Sequence, residues 1–102
     1  MASLRWTDRA RRDLGDIRDY ISRREGEAAS RFVEGLLRRS LILEEQPRSG
    51  RRVPEFNTDD IRELIHGNYR IVYKLAGSEV HILTVFEGHM LLDPAGFEEN
   101  TT

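Results

Sequence analysis

Residues 62–75 read "RELIHGNYRIVYKL", and this stretch decides the fold. Apolar residues recur on both sides of Gly67-Asn68, and a glycine in the first position suits a two-residue type II′ turn. A second turn of this kind, Gly77-Ser78, lies ten residues further on. The spacing predicts three consecutive antiparallel strands that are joined by two tight hairpins.

The two turns also predict the register of the strands, with residue 64 opposite 71, 73 opposite 82 and 71 opposite 84. Alternation then places one apolar set on a core face, which comprises Leu64, Tyr69, Ile71, Tyr73, Leu75, Val80, Ile82 and Phe86. The opposite, outer face mixes charged and apolar side chains: Ile61, Glu63, Ile65, Arg70, Val72, Lys74, His81, Leu83, Val85 and Glu87. No third layer is evident, so we expect residues from His89 onward or a partner protein to cover this face.

The first half of the chain is predicted to be helical after a short strand, "SLRW". Thr7 or Asp8 can cap a first helix, whose apolar residues recur at helical spacing until Gly26 ends it. A second helix is expected from about residue 27 to 45, with a wider apolar stripe. Gly15 and Gly35 are equally far from the turn and therefore lie near the same level of the two helices. They either allow the two backbones to approach closely or are merely tolerated.

We therefore predict an α+β fold in which a helical hairpin packs on a small, mostly antiparallel sheet. The element order is β-α-α-β-β-β, with an N-terminal strand, an antiparallel pair of helices and two layers in all. A chain of 102 residues is long enough for one domain with a modest core. We place this domain at residues 1–94 and expect residues 95–102 to be a flexible tail.

Composition excludes several classes of function. The net charge is −2, although residues 1–52 carry +4 and residues 53–102 carry −6, so the chain is not broadly basic as general nucleic-acid binders are. The chain has no cysteine, its three histidines lack metal-site spacing, and no apolar run is long enough to span a membrane. We expect no metal, no cofactor, no membrane contact and a cytoplasmic location.

The connector "QPRSGRRVPEFNTDD", residues 46–60, is predicted to be non-helical because two prolines and a glycine interrupt it. Positive charge is concentrated there in Arg48, Arg51 and Arg52. Such a cluster is typical of a solvated loop, and it can also contact an anion or a macromolecular target.

The sequence resembles the ParE/RelE superfamily of toxins from type II toxin–antitoxin modules, and within it the ParE branch. "WTDRARRDLGDIRDYI" is similar to the ParE opening, and "QPRSGRRVPE" is similar to the Pro-x-x-Gly-Arg connector of the family. "RELIHGNYRIVYKL" is close to its most recognisable segment, and "VHILTVFEGHMLL" stands where its last strand lies. The order and spacing of these segments cover most of the chain.

This resemblance implies a toxin of the kind associated with plasmid stabilisation, which a cognate antitoxin holds inactive. The antitoxin is expected to be short, with a ribbon-helix-helix N-terminus and a disordered tail that folds across the toxin. Contact with DNA is expected only through this antitoxin. The residues expected to bind the tail are apolar and come from the second helix and the outer face: Phe32, Val33, Leu37, Leu41, Ile65, Val72, Leu83 and Val85.

Two activities compete under this resemblance, and a third reading remains open. ParE-like members bind DNA gyrase and block it without catalysis, whereas RelE-like members cleave mRNA on the ribosome. A degenerate toxin would retain only the binding of its antitoxin. The segment "EGHMLLDP" lacks the His-Tyr ending of some nuclease members, and the second half is acidic, so we favour the inhibitor of gyrase.

Arg70 is the best single candidate for a functional side chain, because the expected register surrounds it with apolar residues where it can bind an anion strongly. It can contact the target together with Arg48, Arg51 and Arg52. If the chain is a nuclease, the candidate catalytic residues are Arg70, Glu63, Lys74, Glu87 and His89. The structural alternative is that Arg70 pairs with Glu63, which is diagonal to it on the adjacent strand.

Overall fold

The computed structural model describes residues 1–88, which form a helical layer on one face of a five-stranded sheet. The strand order is β1-β5-β4-β3-β2, in which β1 runs parallel to β5 and the other pairs are antiparallel. The elements are β1 (Ser3–Trp6), α1 (Asp8–Glu25), α2 (Ala28–Ser40), α3 (Ile42–Glu45), β2 (Arg51–Arg52), β3 (Ile61–His66), β4 (Tyr69–Ala76) and β5 (Glu79–Glu87). The predicted α+β class is confirmed, while the expected domain limit at residue 94 and the tail lie outside the described residues.

The capping residues delimit α1 as the sequence predicted. The hydroxyl of Thr7 accepts a hydrogen bond from the Ala10 amide at 3.1 Å, and Gly26, at φ 34°, follows the last residue of the helix. The second predicted helix is divided at Leu41 into α2 and the short α3. There the Leu41 amide bonds to the carbonyl of Arg38, only three residues back, and this tighter turn separates the two segments.

Of the two explanations that the sequence left open for Gly15 and Gly35, the close approach of the two helices is wrong. A Cβ added at Gly15 would meet no described atom within 4 Å. One added at Gly35 would lie 3.1 Å from Nε2 of His66, a residue of β3. Gly35 therefore leaves space for a side chain of the sheet, and Gly15 is a tolerated helix glycine.

The predicted register is confirmed at both hairpins but fails further along β5. Residue 64 pairs with 71, and 73 pairs with 82, as the turns require. Beyond that point Ile71 pairs with Val85 instead of residue 84, because Leu83 is an extra residue that forms a β-bulge.

Side chains from the start of α1 hold this bulge in place. The Thr7 hydroxyl contacts the carbonyls of Ile82 at 2.8 Å and Leu83 at 3.2 Å. Oδ2 of Asp13 accepts a bond from the Val85 amide at 3.1 Å and another from the Thr84 hydroxyl. These contacts satisfy main-chain groups that the interrupted ladder would otherwise leave unpaired.

The bulge shifts the register of the rest of β5, so the sequence assigned Val85 and Phe86 to the wrong faces. Val85 was expected on the outer face but is buried in the core beneath the helices, together with Leu36, Ile71 and Tyr73. Phe86 was expected in that core but packs on the outer face.

The connector supplies the third layer that the sequence did not reveal. Val53, Ile61, Val72 and Leu83 form a second buried cluster, against which Phe56 and Phe86 pack. Val53 and Phe56 belong to the connector, which also contributes the unpredicted strand β2 at the sheet edge. The expectation that only the C-terminal residues or a partner could cover the outer face is therefore wrong.

Gly50 is the point where the connector meets the sheet most closely. Its amide donates a hydrogen bond to the hydroxyl of the fully buried Tyr73 at 2.9 Å. A Cβ at this position would lie 2.5 Å from the Glu63 carbonyl oxygen and 2.5 Å from the Tyr73 hydroxyl. No larger side chain fits there unless the connector lifts from the sheet.

We predict that Gly50→Ala lowers the free energy of unfolding by about 1–3 kcal/mol, the usual cost of overpacking. Gly15→Ala is the matched control, and it should raise stability by about 1 kcal/mol because alanine is the better helix former. Urea denaturation of both variants measures the difference. Equal stability of Gly50→Ala and the parent protein would contradict the close packing described here.

Candidate functional site

A cluster of four charged side chains lies beneath the connector on the outer face. Arg70 is 5% exposed, and its Nε donates to Oε1 of Glu63 at 2.5 Å. Glu63 is 1% exposed, and its Oε2 accepts a bond from Nε of Arg51 at 2.6 Å. The buried carboxylate therefore lies between two guanidinium groups, as a charge removed from water requires.

Glu55 completes this cluster from the connector. Its two carboxylate oxygens accept bonds from Nη1 and Nη2 of Arg70, each at 2.8 Å, in the bidentate geometry that suits a guanidinium. The hydrogen bond with Glu55 is the main cause that raises the pKa of Arg70 above its ordinary value. The Phe86 ring lies 5.0 Å from the guanidinium carbon. The pairing with Glu63 that the sequence raised as an alternative is confirmed, and Glu55 adds to it.

The other nuclease candidates do not gather around Arg70 as a catalytic set. Lys74 lies four residues further along β4, a separation of about 13 Å in an extended strand. Glu87 pairs with Tyr69, whose side chain packs on the helical face of the sheet, opposite to the face of Arg70. His89 is outside the described residues. Within residues 1–88 no three His, Cys, Asp or Glu side chains are grouped as metal ligands.

The arginines of the connector are engaged with acidic side chains. Arg48 forms an ion pair with Asp59, and Arg52 and Arg62 approach the same residue at 3.8 and 2.9 Å. Arg51 is bound to Glu63 but leaves most of its side chain in solvent, with 63% exposed. The ion pairs Arg51–Glu63 and Asp59–Arg62 fasten the connector to β3, and Arg48, Arg51 and Arg52 remain at the surface.

The apolar residues that were expected to bind an antitoxin differ in exposure and fall into three groups. Val72, Leu83 and Val85 are buried by the connector or the helices, so their expected exposure is wrong. Phe32 and Val33 are half-buried, with the Phe32 ring 5.1 Å from that of Tyr69. The remaining three are exposed: Leu37 at 40%, Leu41 at 52% and Ile65 at 45%.

Leu37 and Leu41 border a groove beside β1. One cavity of about 690 Å³ lies along β1 and is lined by Leu4, Trp6, Leu14 and Leu37, together with Arg5, Asp8 and Arg11. An adjoining cavity of about 290 Å³ shares Leu4, Trp6 and Leu37 and reaches Leu41, with Glu34, Arg38 and Ser40 at its margin. We call these two cavities together the β1 groove.

Sequence reasoning missed Glu55, Phe86 and the β1 groove. The position of Glu55 depends on the path of the connector, and that of Phe86 depends on the β-bulge. No local sequence pattern predicts either of them. The groove had a signal, since "SLRW" places Leu4 and Trp6 on one side of a terminal strand, and a terminal strand often lies at a sheet edge. No helix within the described part of the chain is long and apolar enough to cross a membrane.

We predict that Arg70→Ala lowers the free energy of unfolding by about 3–5 kcal/mol, because it leaves a buried carboxylate poorly compensated. The double variant Glu63→Gln, Arg70→Met removes both buried charges and should recover part of this loss. Urea denaturation at neutral pH measures both effects. A single variant as stable as the parent would contradict the role given to this cluster.

Comparison with known proteins agrees with this architecture. The family model described as "ParE toxin of type II toxin-antitoxin system, parDE" matches residues 4–92. "Putative toxin Y4kP" of Sinorhizobium fredii is 38% identical over 88 residues, which cover 84% of this chain and 88% of that protein.

Two solved structures have a similar fold. The chromosomal ParDE toxin–antitoxin system of P. aeruginosa contains a chain that matches with a TM-score of 0.74 and 26% identity, covering 85% of this chain and 96% of that one. A chain of the RelBE2 toxin–antitoxin complex of Mycobacterium tuberculosis matches with a TM-score of 0.51 and 26% identity, covering 84% and 96%. Since the family model spans nearly the whole described structure, this chain belongs to the ParE toxin family of type II toxin–antitoxin systems.

Proposed function

We propose that this ParE-family toxin acts by inhibiting DNA gyrase, without catalysis of its own, and that a cognate antitoxin neutralises it. The absence of catalysis is proposed because of the surroundings of Arg70. Its guanidinium is buried and bound by the carboxylates of Glu55 and Glu63, so its donors are directed at groups of the chain itself.

A scissile phosphate at Arg70 would have to replace Glu55, whose bidentate contact is already the one that a phosphate prefers. It would also come close to the buried Glu63, and repulsion between the two anions would oppose its binding. Cleavage of RNA needs a base, an acid and cations around one phosphate. The contacts of Arg70 with Glu55 and Glu63, and the separation of Lys74 from them, favour a structural role for the cluster instead.

Cleavage of mRNA remains the second candidate, because the chain is also similar to a component of the RelBE2 complex. An RNA site could use Arg51, whose side chain is largely exposed beside a cavity of about 270 Å³ that Arg70 and Tyr69 also line. A degenerate toxin that only binds its antitoxin is the third candidate.

The proposal of an antitoxin rests on family membership and on exposed apolar surface. Both solved relatives are parts of toxin–antitoxin systems. Leu37 and Leu41 are large apolar side chains exposed beside the β1 groove, and contiguous apolar surface of this kind is typical of a binding site. We expect the partner to have a ribbon-helix-helix N-terminus and a tail that orders on binding.

Assays of the purified toxin should separate the two activities. We predict that the wild-type protein inhibits supercoiling by gyrase and leaves mRNA intact in a ribosome-dependent cleavage assay. Arg51→Ala should fold and reduce inhibition only partly, since a protein interface distributes its energy over several residues.

Arg52→Ala is the matched control, because it removes the neighbouring arginine of β2, whose strand partner is Arg62 rather than Glu63. Circular dichroism checks the folding of both variants. Cleavage of mRNA by the wild type that falls about 10²–10³-fold in Arg51→Ala, but not in Arg52→Ala, would establish the nuclease instead. Absence of both activities, with intact binding of the antitoxin, would establish the degenerate toxin.

The apolar surface of α2 can be tested separately. We predict that the double variant Leu37→Ala, Leu41→Ala weakens binding of the antitoxin at least tenfold, because both side chains lose apolar contact area. Ile65→Ala, an equally exposed residue at the far side of the sheet, is the control and tests the outer face. Titration calorimetry with the product of the neighbouring open reading frame measures the affinity of the parent protein and of both variants. A loss confined to Ile65→Ala would move the binding surface to the outer face.

A further inference from the structure

Glu55 binds the middle of the connector to a buried charge of the sheet. Its side chain is 16% exposed, and its two carboxylate oxygens accept bonds from Arg70 of β4, whose side chain is 6% exposed. The two residues are 15 positions apart in the sequence, so this contact forms only when the connector lies on the outer face. The position of the connector and the occupation of Arg70 are therefore linked.

The residues on either side of this contact are fastened to the sheet independently of Glu55. Val53 is fully buried, and its amide donates to the carbonyl of Ile61 at 3.2 Å. Arg62 of β3 donates from Nε to the carbonyl of Asp59 at 3.0 Å and from Nη2 to its carboxylate at 2.9 Å. Residues 54–58 thus form a short strap between two fixed ends, and we call them the strap.

Within the strap, two side chains reach the outer face, and they are those of Glu55 and Phe56. Phe56 is half-buried against the cluster of Val53, Ile61, Val72 and Leu83. Its amide donates to the carbonyl of Val53 at 3.1 Å, which is a bond inside the connector. Release of Glu55 would therefore allow the strap to move while Val53 stays in the core.

The charges that remain without Glu55 would favour an anion at Arg70. Arg51 and Arg70 carry two positive charges against the single negative charge of Glu63. A cavity of about 270 Å³ already borders both arginines. A guanidinium that is shielded from water binds an anion more strongly than one in open solvent. The carboxylate of Glu55 thus occupies the position that suits an external bidentate anion.

We propose that Glu55 is a built-in ligand which closes an anion site at Arg70, and that the strap can open to admit an external carboxylate or phosphate group in its place. The contact between Glu55 and Arg70 is then an autoinhibitory one, since the chain competes with the external anion for the same donors. This inference concerns the site at Arg70 alone, and it does not depend on gyrase being the target of the toxin.

Titration with small anions tests the site directly. Inorganic phosphate and acetate are added in turn at constant ionic strength, and the Nε–H signal of Arg70 is followed by NMR. We expect Glu55→Ala to bind at least one of the two anions at least tenfold more tightly than the parent protein, because the internal ligand no longer competes. Tighter binding of acetate would identify a carboxylate as the external ligand, and tighter binding of phosphate would identify a phosphate group.

Two further variants control this titration. Glu79→Ala makes the same change of net charge at the surface, where Glu79 approaches Arg5 at 3.9 Å, and it should bind the anions at Arg70 no better than the parent protein. Glu55→Gln keeps the size of the side chain and loses its charge, and it replaces Glu55→Ala if circular dichroism shows that the alanine variant is unfolded. Equal affinity of the parent protein and a folded Glu55 variant would overturn the proposal.

Amide hydrogen exchange tests the opening of the strap. In Glu55→Ala the protection factor of the Phe56 amide should fall at least tenfold relative to the parent protein. The amides of Val53 and of Leu75, which donates to the Asp60 carbonyl at 2.8 Å, report on the fixed ends and should lose much less protection. An equal loss at all three amides would show that the whole connector lifts, and unchanged protection of Phe56 would show that Glu55 does not hold the strap. Either result would overturn the opening proposed here.

Discussion

The β-bulge at Leu83, held by Thr7 and Asp13, is the constraint on which the rest of the structure depends. Without the extra residue, strict alternation would direct Val85 outward and Phe86 into the core. With it, Val85 fills the space beneath the helices and Phe86 lies beside Arg70 on the other face. A polar contact at the start of α1 therefore determines the surroundings of a charged group on the opposite side of the sheet.

The burial of Arg70 follows from this arrangement and from the connector. Phe86, Phe56 and Val53 exclude water from the outer face, so a single buried arginine would be costly there. Glu63 and Glu55 supply two carboxylates, and Arg51 at the surface compensates the second negative charge. The two positive and two negative charges of the cluster balance one another, and its ion pairs tie the connector to the sheet.

The sequence predicted those parts of the fold that depend on short-range geometry. A two-residue turn with a leading glycine fixes the register next to it, which is why the pairs 64–71 and 73–82 were correct. The bulge escaped prediction because Thr7 and Asp13 are more than 70 residues from the strand that they hold. The pairing of Arg70 with Glu63 could be derived from register, whereas Glu55 could not, since its position depends on the path of an irregular connector.

The two faces and two edges of the sheet differ in how completely the chain covers them, and this difference bears on function. The helices cover the inner face, the connector covers the outer face, and two arginines occupy the β2 edge. Within residues 1–88, the β1 edge is not covered by another strand, and the exposed side chains of Leu37 and Leu41 lie near it. A small domain gains little from leaving such an edge open, because it invites unspecific pairing with other strands.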